Sequence, residues 1–498
     1  MEPTLLHHLL DHPRTAAVRP ALTAGRTTLT HEQLVAASHR MSHVLHDRGL
    51  RRGDRLVVTG TCDVHLPALL FAASRLGVIF SVIHEEVRGE ILAHILNDSG
   101  PRLFVTGDTH VNGADAAHGV PTVRLGRLTH AATTAPESPV GAEQPLPVDP
   151  ACLIYTSGTT AMPKAVVSTH GQSVFATRAI ARRLRYTSDD VIYSPLPLSF
   201  DYGLYQVFLA AEAGAHLQLA PAEAAGPSLL KNLNAAGATV LPAVPPVAAG
   251  LLRLLQRQAR ERPALRLMTN TGAAMPAEVL TGLRQLLPSL RVQLMYGLTE
   301  CKRVSILEPD EDLRKPETVG RPLDGTEVFT VDADGARLPA GCPGEITVRG
   351  PHVMAGYWRR PDLTAERFVR RDGLFPELRT GDYGFVDADG HLHFDGRRDD
   401  VYKQQGFRVS AIEVEAAARR IPGVDTAAVL VPTAERPEAL LVISGTAEPH
   451  DVLQRLGERI ETYKVPARCH RMALLPTNAN GKIDKKRLAE LAGESVHV

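Results

Sequence analysis

The sequence predicts an α/β protein: a large N-terminal domain of helix-covered sheets with a small β subdomain, then a small α+β C-terminal domain. Three observations carry that prediction. Short apolar strands alternate with helical patterns up to about residue 110 and again from 151 to about 318, the rhythm of parallel sheets covered by helices. After Gly320 the chain turns to short strands divided by Asp/Gly turns, and beyond Asp399 it becomes mixed again. The expected boundaries are 1–398, with the β subdomain at about 320–398, and 399–498, an ordinary size for a last compact domain.

In chain order, Arg55–Gly60 reads as a strand, Leu66–Arg75 as a helix, Val78–Ile83 as a strand, Gly89–Leu96 as a helix and Pro101–Thr106 as a strand. Residues 111–150 shift to Ala, Thr, Pro and Gly and read as a surface connection with one short strand at Thr122–Leu125. Ala151–Ile154 is a strand that ends in a Ser/Thr/Gly turn. In the β subdomain, Val328–Val331, Gly344–Arg349, Tyr383–Asp387 and His391–Phe394 are short strands. The last domain reads as a helix at Ala411–Arg420, strands at Thr426–Val431 and Glu438–Ser444, and a helix at His450–Tyr463.

Composition narrows the function classes. Acids and bases are matched at 55 each, and no basic run interleaves with aromatics, which argues against a nucleic-acid partner. No apolar stretch reaches the ~18 residues of a membrane span, and Met1–Thr4 lacks a signal-peptide pattern. The five cysteines are scattered and never in a CxxC pair, as expected of a reducing cytoplasm without a zinc or disulfide frame.

Five segments carry chemistry. Tyr155-Thr-Ser-Gly-Thr-Thr-Ala-Met-Pro-Lys164 packs hydroxyls, a glycine and a lysine into one turn, suited to phosphate oxygens but unlike a P-loop. Asn270-Thr-Gly-Ala-Ala-Met-Pro276 offers small residues where a flat ligand can lie against backbone. Tyr296-Gly-Leu-Thr-Glu300 brings an aromatic face, a hydroxyl and a carboxylate together. Arg379-Thr-Gly-Asp-Tyr383 with Gly396–Lys403, and Asn480-Gly-Lys-Ile-Asp484, complete the set. Singly, each has a plain reading: Tyr296 in the core, Asp382 in a turn, Lys482 on a solvated tip. Their order and spacing together resemble the adenylate-forming superfamily of acyl-CoA synthetases, luciferases and nonribosomal-peptide adenylation domains, over roughly Thr28 to Leu488.

That resemblance implies ATP and Mg²⁺ as cofactors. Thr156, Ser157, Gly158, Thr159, Thr160 and Lys164 would hold the β- and γ-phosphates. Gly272, Ala273 and Ala274 would line the adenine, with Tyr296 stacking on it and Gly297 beside it. Thr299 would touch the α-phosphate, Glu300 would bind the metal, Asp382 would accept the ribose hydroxyls and Arg397 would contact the ribose. Lys482 would be the catalytic cation of adenylation. Asp399 would be the hinge about which the last domain turns, bringing Lys403 and Gly406 to the thiol step. The family's glycines are replaced here by Ala161 and Ala165, which matters only where the backbone is left-handed.

Pro197-Leu-Ser-Phe-Asp-Tyr-Gly-Leu-Tyr205 is similar to the Phe-Asp pair of amino-acid-activating domains, in which the aspartate binds the substrate ammonium. The plain alternative is that Asp201 caps a helix starting near Tyr202. By the same resemblance the pocket would hold Tyr202, Tyr205, Ala243, Thr269, Thr271, Met295, Arg303 and Val304. Arg303 suits a second anionic group or a polar substituent, while a plainer account has Arg303 or Lys302 pointing outward or paired with Asp201. The expected reaction is activation of a small or polar amino acid, with β-amino and dicarboxylic ones among the candidates, as acyl-AMP. The product would pass to the phosphopantetheine thiol of a free-standing carrier protein, since the chain ends about ten residues after Leu488, leaving no room for a fused carrier. Coenzyme A is the runner-up acceptor. A ligase for a non-amino acid and a non-catalytic nucleotide-binding relative are the other readings.

Overall fold

The computed structural model describes residues 4–11, 17–107, 119–141, 143–156, 162–257, 262–371, 375–397, 401–404, 407–433, 436–460, 462–478 and 482–494. Its α/β character is as the sequence predicts. By contact density the chain divides into two compact units, residues 1–328 with 348–378 and residues 329–347 with 379–498. The segment expected as a β subdomain contributes to both.

The first unit is built on two large sheets. In the nine-stranded one, Pro20–Ala24, His216–Leu219, Val191–Ser194, Val240–Pro242, Leu267–Asn270 and Arg291–Tyr296 lie side by side and all run parallel. Antiparallel strands flank this run, Thr27–Thr30 on one side and Ser305–Ile306 on the other. A central strand is buried on both faces, as parallel strands covered by helices must be: Leu267–Asn270 is buried at every position. The seven-stranded sheet has Arg55–Thr59, Ile79–Ile83 and Leu103–Thr106 in parallel, and Pro150–Thr156 beside Ile79–Ile83. The hairpin partner Lys164–Thr169 and the two-residue strand Gly356–Tyr357 close that side.

Three differences from expectation stand out. The supposed surface connection contains a helix, Leu125–Ala132, whose buried Leu125, Leu128 and Ala132 recur at helical spacing. The strand expected at Tyr383–Asp387 is longer, Pro376–Val386. The helix expected over His450–Tyr463 ends at Gly457, where the chain turns before a short 3₁₀ segment at Thr462–Lys464.

In the second unit, the helix Ala411–Arg419 packs on a three-stranded sheet of Val424–Leu430, Leu440–Gly445 and Arg468–Arg471. The Glu415 carboxylate, at the buried face of that helix, accepts the Val429 N–H at 2.8 Å and lies 3.0 Å from the Lys485 ammonium.

Candidate active site

Because six neighbouring strands run parallel, their C-terminal ends open on one edge, where α/β sheets place ligands. The residues leaving that edge are those singled out by sequence. Ala243 follows Pro242, Thr271 and Gly272 follow Asn270, and Gly297 follows Tyr296. Backbone pairing fixes them in register: the Ala243 N–H donates to the Thr269 carbonyl at 2.9 Å, and the Asn270 amide donates to the Ala243 carbonyl at 3.2 Å. Ala273 and Ala274 are exposed, while Ala243, Thr269, Thr271, Met295 and Val304 are buried. Gly272 has φ +89°, a backbone that favours glycine.

The acyl-pocket candidates converge on a buried charge cluster. The helix Asp201–Ala213 begins at Asp201 itself; its N-cap is Phe200, with no side-chain cap bond, so Asp201 does not cap the helix. A Cβ on Gly203 would lie 2.3 Å from the Pro197 carbonyl, so the first turn seats directly on the preceding loop. Asp201 and Arg303 are both buried, with carboxylate and guanidinium 3.7 Å apart. Arg303 also sits 5.0 Å from the Tyr202 ring centre, and the Tyr202 hydroxyl lies 2.7 Å from that of Thr269. Tyr205 is buried beneath the ammonium of Lys302, 5.5 Å from its ring centre. The outward orientation for Lys302 or Arg303 is therefore overturned: both side chains are inside, and Arg303 faces Asp201.

A tight turn joins this cluster to Thr299 and Glu300. The Lys302 N–H donates to the Leu298 carbonyl at 2.7 Å, and the Val304 N–H to the Tyr296 carbonyl at 2.9 Å. A Cβ on Gly297 would lie 2.2 Å from the Lys302 carbonyl oxygen, so no larger residue fits. Glu300 is buried and accepts the Tyr357 hydroxyl at 2.7 Å. The Lys164 ammonium lies over the other part of Tyr357, 4.1 Å from the ring centre. Tyr357, which the sequence reading missed, thus joins the lysine of the phosphate turn to the carboxylate of the Thr-Glu pair. Its neighbours hold it there: Met354 N–H donates to the Glu300 carbonyl, and Trp358 N–H to that of Ala165.

Thr156 and Lys164 stand opposite each other in the hairpin register, and Ala165 is extended strand with no left-handed strain. Ser157, Gly158, Thr159, Thr160 and Ala161 lie outside the described residues, as do Asp399 and Gly406. In the second unit, Asp382 is buried and stands opposite Arg397 in an antiparallel pair; its N–H donates to the Thr380 hydroxyl at 3.1 Å. Lys403 lies in the strand Val401–Gln404. Lys482 is exposed on a turn closed by Asn478, whose N–H donates to the Lys482 carbonyl at 2.8 Å and whose side chain accepts the Lys482 N–H at 3.1 Å.

The parallel strand ends thus bring together the Thr299–Glu300 turn, the paired Thr156 and Lys164, and the buried Asp201–Arg303 pair. The chain belongs to the AMP-binding enzyme family: its family model matches residues 10–358, and the model of the AMP-binding enzyme C-terminal domain matches 413–482. It is an AMP-forming acid–thiol ligase. Among solved structures it is similar to VinN, with 38% identity and a TM-score of 0.73 over 80% of this chain and 100% of that one. VinN has also been solved in complex with L-aspartate, where identity is 36% and the TM-score 0.71, over 79% of this chain and 99% of that one. ATP-bound MatB from Rhodopseudomonas palustris is similar over 98% of this chain and 99% of its own, with 28% identity and a TM-score of 0.88. A fatty acid–[acyl-carrier-protein] ligase, ScoC of Streptomyces coeruleorubidus, is 29% identical over 98% of this chain and 96% of its own.

Proposed function

We propose that the protein activates an amino acid bearing a second carboxylate, using ATP, and passes the acyl group to the phosphopantetheine thiol of a separate carrier protein. The observation that carries this reading is the buried Asp201–Arg303 pair at 3.7 Å. Opposite charges buried side by side suit a substrate with both an ammonium, for Asp201, and an anion, for Arg303. Arg303 Nε and the Thr271 hydroxyl are buried with no protein partner among the described residues, which leaves them available to such a ligand. The aspartate complex of VinN and the carrier-protein ligase ScoC support the substrate class and the acceptor in turn.

In this reading the reacting carboxylate attacks the α-phosphorus of ATP and pyrophosphate leaves. Lys164 and the turn 156–160 hold the β- and γ-phosphates, Thr299 touches the α-phosphate, and Tyr296 stacks on the adenine beside Gly272–Ala274 and Gly297. Asp382 and Arg397 bind the ribose, and Lys482 offsets charge as it builds on the α-phosphate and bridging oxygens. Glu300, a buried carboxylate offering hard oxygen ligands, fits Mg²⁺, which when bound would neutralise phosphate charge. Residues 399–498 then turn about Asp399, presenting Lys403 and Gly406 for the second step, in which the thiol attacks the acyl carbon and AMP leaves.

The test is ATP–pyrophosphate exchange against α-amino, β-amino, dicarboxylic, fatty and aryl acids, with Lys482→Ala as control. Exchange that needs both an amino group and a second carboxylate supports the reading. Exchange only with acids lacking an amino group overturns it in favour of an acyl-CoA or acyl-carrier ligase.

A further inference from the structure

We propose that Lys302 is a positioning residue that couples the acid pocket to the Thr299–Glu300 pair. The proposal rests on the adenylation reading above. Lys302 is fully buried, yet no carboxylate lies within ion-pair distance of its ammonium among the described residues. Its backbone is left-handed at φ +66°, a conformation that a residue with a Cβ adopts at a cost. A lysine is thus unfavourable here twice over, for its charge and for its backbone.

The geometry shows what the side chain does in return. Its ammonium donates to the Thr299 carbonyl at 3.0 Å, while its own carbonyl accepts the Arg303 guanidinium at 2.6 Å. One residue therefore holds the Thr299 backbone with its ammonium and the Arg303 guanidinium with its carbonyl. Asp201 and Glu300 are the carboxylates whose charge it feels. An acid that draws Arg303 toward itself pulls on the Lys302 carbonyl, and the same residue holds Thr299 for the α-phosphate. Occupancy of the acid pocket and placement of Thr299–Glu300 become linked, and by linkage each ligand should tighten the other.

The experiment compares wild type with Lys302→Met, which keeps the volume and removes the charge, and Lys302→Arg, which keeps the charge. Melting temperature, exchange kinetics and ATP affinity with and without the acid are measured. We expect Lys302→Met to melt at or above the wild-type temperature while kcat for exchange falls about 10- to 100-fold, the worth of a charged hydrogen bond. The KM for the acid should stay within about threefold, the mark of an interaction felt in the transition state. The acid should tighten ATP binding in wild type and cease to do so in Lys302→Met, while Lys302→Arg retains part of the coupling. A Lys302→Met protein that is insoluble, or whose melting temperature and activity fall together, makes Lys302 a packing residue and overturns the proposal. Unchanged exchange in a stable Lys302→Met overturns it too. Wild type silent with every acid instead defeats the adenylation reading itself, so the two failures are distinguishable.

Discussion

Breaking the Asp201–Arg303 pair tests the acid pocket most directly. The two side chains are 8% and 5% exposed and their charged atoms 3.7 Å apart. At an effective dielectric of about 20 that separation corresponds to roughly 4 kcal/mol of attraction. Removing one partner strands the other in a place water barely reaches, and a stranded buried charge typically destabilises by about 3–5 kcal/mol. Arg303→Met should fall toward the lower end, because the Lys302 ammonium still acts on Asp201. Asp201→Asn should be the more damaging, since it leaves the buried Arg303 without its carboxylate and Lys302 with Glu300 alone. The double variant removes both charges and should recover about 1–3 kcal/mol relative to the summed singles. Urea unfolding followed by tryptophan fluorescence measures this, because the single tryptophan, Trp358, lies in the same unit and is anchored by its indole N–H to the Asp98 carbonyl. Additivity of the two singles to within about 0.5 kcal/mol would refute the reasoning, since a pair that does not interact cannot be poised for a zwitterionic ligand.

Three further outcomes follow from local geometry. Gly297→Ala would press a methyl onto the Lys302 carbonyl and the Arg303 Cα, 2.2 and 2.8 Å away, so we expect loss of exchange and a lowered melting temperature, read by scanning calorimetry. Tyr357→Phe deletes the hydroxyl donor to Glu300 and should raise the Mg²⁺ concentration needed for half-maximal exchange, with thermal stability lowered by only ~1 kcal/mol. Burial alone would raise the Asp190 carboxyl, but Arg266, the Thr187 amide and the Thr239 hydroxyl outweigh it and hold it below the usual carboxylate range. Its stabilising contribution is therefore complete above the ordinary aspartate pKa and lost as pH falls through the lowered one. Asp190→Asn should accordingly narrow its stability gap to wild type as pH falls below the ordinary aspartate range, measured by urea unfolding.

What the sequence made legible follows from how locally each feature is encoded. The parallel sheets were readable because each strand is a contiguous apolar run bounded by its own turn, and the candidate motifs were placeable because they sit where those runs end. Asp201 was readable as a candidate site residue because Phe-Asp-Tyr-Gly is a contiguous pattern; that it opens a helix without capping it depends on Phe200 taking the cap position, which no local rule requires. Tyr357 was not readable, because its meaning is non-local: the strand Gly356–Tyr357 acquires a role only by pairing with Lys164–Thr169, nearly two hundred residues upstream, so that ring, ammonium and carboxylate meet. Lys302 and Arg303 were the hardest. Two adjacent cations ordinarily mark a solvated surface, and a pattern rule turns them outward. The available signal was their setting, Cys301 before them and Val304, Ile306 and Leu307 after, all buried. Charges inside an apolar run that also follows a Thr-Glu pair are better taken as part of a site than as an interruption of the core, because only a ligand or an opposing charge makes such burial tolerable. Here Asp201, a hundred residues away, is that opposing charge, and only the fold brings it within reach.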